Sequence, residues 1–283
     1  MSDPLEEAVR IRRAGERGAL CTVVRVSGSA PAREAMRMVV RADGSQVGTI
    51  GGGHFEEECR RAALETMRDE NCRTLSFSLD PADEMEPGLV CGGDLEVFVE
   101  PLGVPRLVVL GAGHLGRAIA RVAAPAGFRV TVADDRREHA RLERLPGAAE
   151  AIAAPWDEAF GRLATDETSS IVIVTRSWDL DERCLRWALG TSARYVGMLG
   201  SSRKVEKVRE HLLRDGVPPG AFDRLHAPVG LELGARTHEE IAVAVVAELI
   251  AVRRTGASPR PAGPSRGSAR SRERASRPKA GKA

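Results

Sequence analysis

Gly111-Ala112-Gly113-His114-Leu115-Gly116 follows directly on the apolar run RLVVL and opens a helix-like stretch. This is the G-x-G-x-x-G pattern in the strand-to-helix setting where it binds dinucleotides. Gly111 would allow the tight turn, Gly113 would let a pyrophosphate approach the helix N-terminus, and Gly116 would permit close helix-to-strand packing. FRVTVADD then reads as a second strand ending at Asp134, eighteen residues beyond Gly116. A carboxylate there suits ribose hydroxyls, whereas Arg136 and Arg137 suit a 2′-phosphate, so the pattern leaves NAD and NADP both open.

A second glycine run, Gly51-Gly52-Gly53-His54, stands between a strand-like segment and FEEECRRAALETMRDE, with Glu56 in the acidic first turn. Unpaired N–H groups and the dipole at a helix N-terminus attract anions, and glycines let them come close. The spacing is not that of a P-loop, so ATP hydrolysis is not indicated. Gly200-Ser201-Ser202-Arg203-Lys204 is another helix start, here with two cations, and suits a phosphate. Cys91 precedes Gly92 and Gly93 at the entrance of the strand LEVFVEPL. Acids surround it and no cation lies near, which argues against an activated thiolate. His114 and the other histidines show no metal-ligand spacing, and no catalytic acid or base stands out.

The elements that must hold these residues divide into two groups. Leu5 to Arg17 has helical spacing, Ala19 to Val26 reads as a strand, and Met36 to Arg41 and Gln46 to Ile50 read as a hairpin about an Asp-Gly turn. From Pro105 onward strands and helices alternate. AEAIAAP, SIVIVT, YVGMLGS and LHAPVG are strands, each followed by a helix, and the last helix is opened by a Thr237 to Glu240 capping box. The predicted fold class is α/β. It comprises an α+β domain over residues 1–103, a Rossmann-like doubly wound parallel sheet over 104–252, and a disordered basic tail over 253–283. Ligands of such sheets lie at the carboxyl ends of the strands, which places Thr175, Arg176, the 200–204 segment and His226 on the ligand side.

Composition narrows the function classes. The chain has 283 residues, 42% hydrophobic and 29% charged, and its five cysteines suggest neither a disulfide framework nor a zinc site. No apolar run is long enough for a membrane span and the N-terminus does not read as a signal peptide, so the expected location is the cytoplasm. The net charge of +2 hides a tail that, from Thr255 onward, has eight Lys or Arg against Glu273, so the remainder carries a net charge of about −5. The tail lacks interleaved aromatics and reads as solvated, and nucleic acid is not an expected partner.

Taken together, VVRVSGSAP, DGSQVGTIGGGHFEEE, CGGDLEVFVEP, LVVLGAGHLG with VADDR, YVGMLGSSRK and HAPVGLELGARTHEEIAVAVVAELI closely resemble the XdhC/CoxI family. Its members are accessory factors of xanthine dehydrogenase and related molybdenum hydroxylases. The resemblance covers about residues 5 to 252. It implies a maturation chaperone that binds molybdenum cofactor (molybdopterin), protects it while a sulfido ligand is installed, and delivers it to an apo molybdenum hydroxylase. A cysteine desulfurase and a molybdopterin nucleotidyltransferase are the further partners it suggests, and a homodimer is compatible with it. Carried over, the cofactor-binding residues are Gly51, Gly52, Gly53, His54 and Glu56; Cys91, Gly92 and Gly93; Gly111, Gly113, His114, Gly116, Asp134 and Arg136; and Gly200, Ser201, Arg203 and Lys204. Some relatives carry cysteine where His54 stands, so thiolate chemistry is unavailable at that position. The main alternative is an NAD(P)-dependent oxidoreductase acting on a small carbonyl or alcohol; a nucleotide-sensing regulator is a third reading.

Overall fold

The structure is a computed structural model and describes residues 3–79 and 93–256. Cys91, Gly92 and the basic tail from residue 257 lie outside the described residues.

The first sheet is antiparallel, in the order β3-β2-β1-β5-β4. Its strands are β1 (Gly18–Gly28), β2 (Arg37–Arg41), β3 (Gln46–Gly48), β4 (Arg73–Leu79) and β5 (Gly93–Pro101). Strand alternation splits its apolar residues between two helices. Ala19, Cys21, Val23, Val97 and Val99 face α2 (Gly53–Asp69), meeting Phe55, Cys59, Ala63 and Met67. Leu20 and Val39 point the other way, toward Ala8 and Ile11 of α1 (Pro4–Ala14). The expected hairpin is present as β2 and β3. β4, with its alternating Thr-Leu-Ser-Phe-Ser, is an element beyond those expected above.

The second sheet is parallel, in the order β11-β10-β9-β6-β7-β8. Its strands are β6 (Arg106–Leu110), β7 (Arg129–Asp134), β8 (Ala148–Ala153), β9 (Ser170–Ile173), β10 (Tyr195–Met198) and β11 (Leu225–His226). The order reverses between β6 and β9, as in doubly wound dinucleotide-binding folds. Leu107, Val109, Val130, Val132 and Val172 bury one face beneath α3 (His114–Ala123) and α7 (His238–Thr255). Val108, Leu110, Ile152, Ile171, Ile173, Val196 and Met198 bury the other beneath α4 (Trp156–Arg162), α5 (Trp178–Gly190) and α6 (Ser202–Arg214). With both faces covered, these strands are apolar on both sides and not alternating. The Thr237–Glu240 capping box opens α7, with both reciprocal hydrogen bonds made.

The two sheets meet at the amino ends of the parallel strands. Arg106, at the start of β6, donates to Gly15 O at 2.6 Å, and Arg194, just before β10, donates to Arg68 O at 2.7 Å. Arg17 pairs with Glu167 at 2.9 Å. Glu70, held at φ 57°, sits between Arg194 and Arg253. Burial pushes the Glu70 carboxyl up, against the opposing pull of these arginines. Among the described residues no helix is long and apolar enough to cross a membrane.

Candidate ligand cleft at the carboxyl ends of the parallel strands

The loop between β6 and α3 has the backbone that its glycines require. Gly111 adopts φ 119°, and a Cβ there would lie 2.4 Å from Val174 O on the neighbouring connection. A Cβ on Gly116 would come within 1.8 Å of Gly111 O, so only hydrogen fits between helix and loop. Gly113 differs from both. It is the N-cap of α3 without a side-chain cap, at φ −71°, and a Cβ there would meet nothing within 4 Å. The helix N-terminus therefore opens onto free space at the point where strand order reverses.

Around that opening the structure brings together most of the expected residues, along with partners that hold them. Asp134 is only 1% exposed. It accepts Ala112 N at 2.7 Å, Arg136 N and Nε at 2.9 Å each, and Arg136 Nη2 at 2.8 Å. Burial raises the Asp134 carboxyl, but these donors outweigh it and hold the group at about 2. Four donors fill a carboxylate's acceptor capacity, so the ribose role expected of Asp134 finds no free acceptor in this arrangement. Asp134 instead braces the glycine loop. Its neighbour Asp135 pairs with both guanidinium nitrogens of Arg176.

On the next strand connection, Ser201 caps α6 by accepting from Lys204 N at 3.4 Å. Lys204 Nζ reaches the buried Asp181 at the start of α5, which also accepts Thr175 Oγ1 at 2.6 Å. Lys204 is thus engaged by a carboxylate, whereas Arg203 is exposed. His114 stacks on His238, with ring centroids 5.6 Å apart and planes 22° from parallel. The two residues begin α3 and α7 but stand 124 positions apart, so no local pattern in the sequence could pair them.

At the first glycine loop a Cβ on the N-cap Gly52 would also meet nothing within 4 Å, but here a carboxylate lies over the backbone. Glu56 turns back over it and accepts Ile50 N at 2.9 Å, Gly52 N at 3.1 Å, Thr49 Oγ1 at 2.5 Å and Gln46 Nε2 at 2.8 Å. Burial pushes the Glu56 carboxyl up, and the four donors overcome this to hold it below the usual carboxylate range. Glu56 thus occupies the amides of Ile50 and Gly52 that precede the first turn of α2. His54 lies 3.0 Å from Glu58. Gly93 fits closely against its neighbouring strand, where a Cβ would lie 2.2 Å from Ser27 O.

Of the described cysteines, Cys21, Cys59 and Cys184 are buried and Cys72 is exposed. Burial pushes the three buried thiols up, Cys59 to about 12, which makes them poor nucleophiles. A nicotinamide dinucleotide would find room for its pyrophosphate at Gly113 but no free ribose acceptor at Asp134.

Sequence comparisons agree with this architecture. The XdhC Rossmann domain family matches residues 107–249, and the XdhC and CoxI family matches residues 11–78. The chain is 36% identical over 250 residues to the uncharacterized protein YqeB of Escherichia coli (strain K12), covering 87% of this chain and 46% of that one. It is 33% identical over 150 residues to a probable xanthine dehydrogenase component of Bacillus subtilis (strain 168), covering 53% of this chain and 43% of that one. It is also 25% identical over 279 residues to the molybdenum cofactor insertion chaperone PaoD of Escherichia coli (strain K12), covering 88% and 87%. The chain thus spans less than half the length of the first two of these relatives.

Proposed function

This chain belongs to the XdhC and CoxI family, and on that premise we propose that it holds molybdenum cofactor for a molybdenum hydroxylase of the xanthine dehydrogenase type. The observation that carries the reading is the open N-terminus of α3 at Gly113, set where the strand order reverses. Molybdopterin carries a phosphate, or a pyrophosphate in its dinucleotide forms, and an uncapped helix N-terminus with room beside it suits either.

In this reading the cargo's phosphate takes the N–H groups of the first turn of α3. Arg176 and Arg203, both exposed, lie on the same side of the sheet. Arg176 is held by Asp135, so an arriving phosphate would compete with that carboxylate for the guanidinium. Arg136 and Asp134 keep the loop in shape. Gly51 to His54, with Glu56, shape the N-terminal domain and do not touch the cargo. The chain protects the cofactor during sulfuration, and a partner such as a cysteine desulfurase supplies the sulfur. Partners in this role are the apo-hydroxylase and the enzymes that supply its cofactor.

The test is anaerobic incubation of the purified protein with released molybdopterin cofactor, followed by desalting and fluorescence of the oxidised pterin retained. Stoichiometric retention supports the proposal. Absence of retention, combined with nicotinamide binding and hydride transfer to small carbonyls or alcohols, would replace it with the oxidoreductase reading.

A further inference from the structure

Although the histidines show no ligand spacing in the sequence, folding gathers one of them into a donor cluster away from the cleft. His211 and Asp215 lie at the end of α6, four residues apart and so on one side of it. Glu182, one turn into α5, faces them. One donor atom from each of the three residues lies within 4.8 Å of the others. His211 Nδ1 is 2.8 Å from Glu182 Oε1, and the Trp178 ring leans on the imidazole with centroids 5.8 Å apart.

Glu182 is satisfied on one side only: Oε1 meets His211 and Arg186. The residue is only 9% exposed, yet its Oε2 is sealed from solvent and no donor among the described residues reaches it. Buried carboxylate oxygens are rarely left in that state. The cation now at the cluster is Arg186, which bonds Asp215 at 2.5 Å and reaches Glu182 Oε1 at 3.4 Å. Asp215 is acted on by Arg186, by His211 and by the nearby Arg214.

We infer that Glu182, His211 and Asp215 form a divalent transition-metal site that joins α5 to α6, with Arg186 as the competing cation. One imidazole nitrogen and two carboxylate oxygens suit zinc, cobalt or manganese, and three protein ligands leave a coordination position for solvent. A bound ion replaces the single charge of Arg186 by a double one. Arg186, 42% exposed, can swing into solvent when the ion enters. The site is independent of the cleft and of the proposed cargo.

The experiment is titration of the full chain with Co2+ and Zn2+, read by cobalt visible absorption and by calorimetry. The expected result is one site whose cobalt spectrum has no thiolate charge-transfer band. His211→Ala and Asp215→Asn, both at the exposed end of α6, should weaken binding at least roughly tenfold, as loss of one ligand does. Arg186→Gln should tighten it, which a purely structural ion-pair cluster would not do. Binding that survives His211→Ala, a thiolate band pointing to Cys72, or no binding even in Arg186→Gln would each overturn the inference. Far-UV circular dichroism and the pterin-retention assay on the same variants confirm that they are folded.

Discussion

Two glycine-rich loops in this molecule share a plan, strand then glycines then helix, yet only the first is bonded by a carboxylate from its own helix. Counting from the N-cap glycine, the fourth helical residue is Glu56 after Gly52 and Arg117 after Gly113. Glu56 folds back onto the amides of Ile50 and Gly52 and neutralises its own helix end. Arg117 cannot do so, because a cation is repelled by the positive end of the dipole. Glycines, then, make an anion site accessible but do not decide who occupies it. An acid one turn into the helix supplies the loop with an acceptor of its own, and a basic residue at that place does not.

Substitutions in and around the two loops put this contrast at risk. The largest effect is expected of Gly116→Ala, whose added methyl meets Gly111 O at 1.8 Å. Overpacking against backbone should cost about 3 kcal/mol, measured as a shift of the urea midpoint. Next is Arg136→Ala, which strips the buried Asp134 of its bidentate partner and should cost about 2 kcal/mol. That variant also changes the acid behaviour. Asp134 is held at about 2 in the folded protein, so its contribution is present above the unfolded carboxylate pKa of about 3.9 and is lost as pH falls toward 2. With Arg136 gone, the folded value rises toward the unfolded one, so this contribution and the stability lost between about pH 3.9 and 2 should both shrink in acid-unfolding curves.

Glu56→Ala should cost about 1 kcal/mol, because two backbone donors and two side chains lose their acceptor at a half-exposed site. Its more informative consequence is a new one. Inorganic phosphate should stabilise this variant in a thermal melt by occupying the vacated amides, and should do so less for the wild-type protein. Gly113→Val should change stability least, by about 0.5 kcal/mol, because φ there is already negative and the added methyls enter open space.

The Rossmann half was largely legible in the sequence because its signals are local. The roles of Gly111 and Gly116 follow from spacing, and the Thr237–Glu240 box marks a helix start within four residues. β4 carried a period-two pattern that the flanking motifs overshadowed. The site's partners were less legible because they are set by which strands become neighbours. Asp134 stands where a ribose acceptor would, but its carboxylate points inward to Ala112 N, which lies 22 residues earlier and is delivered by the neighbouring strand. Lys204 looked like a free phosphate ligand until α5 placed Asp181 beside it. Glu56 reads in the sequence only as an acid in a first turn, and no local signal tells that its carboxylate bonds the amides of Ile50 and Gly52.

Whether the second loop receives the cargo and the first does not can be decided by comparing pterin retention in Gly113→Val, His54→Ala and the wild-type protein under identical anaerobic conditions. Gly113→Val, although folded, should lose the pterin, while His54→Ala should keep it at the wild-type level. Full retention by Gly113→Val, or loss in His54→Ala with the cleft intact, would contradict this assignment and move the cargo to the N-terminal loop.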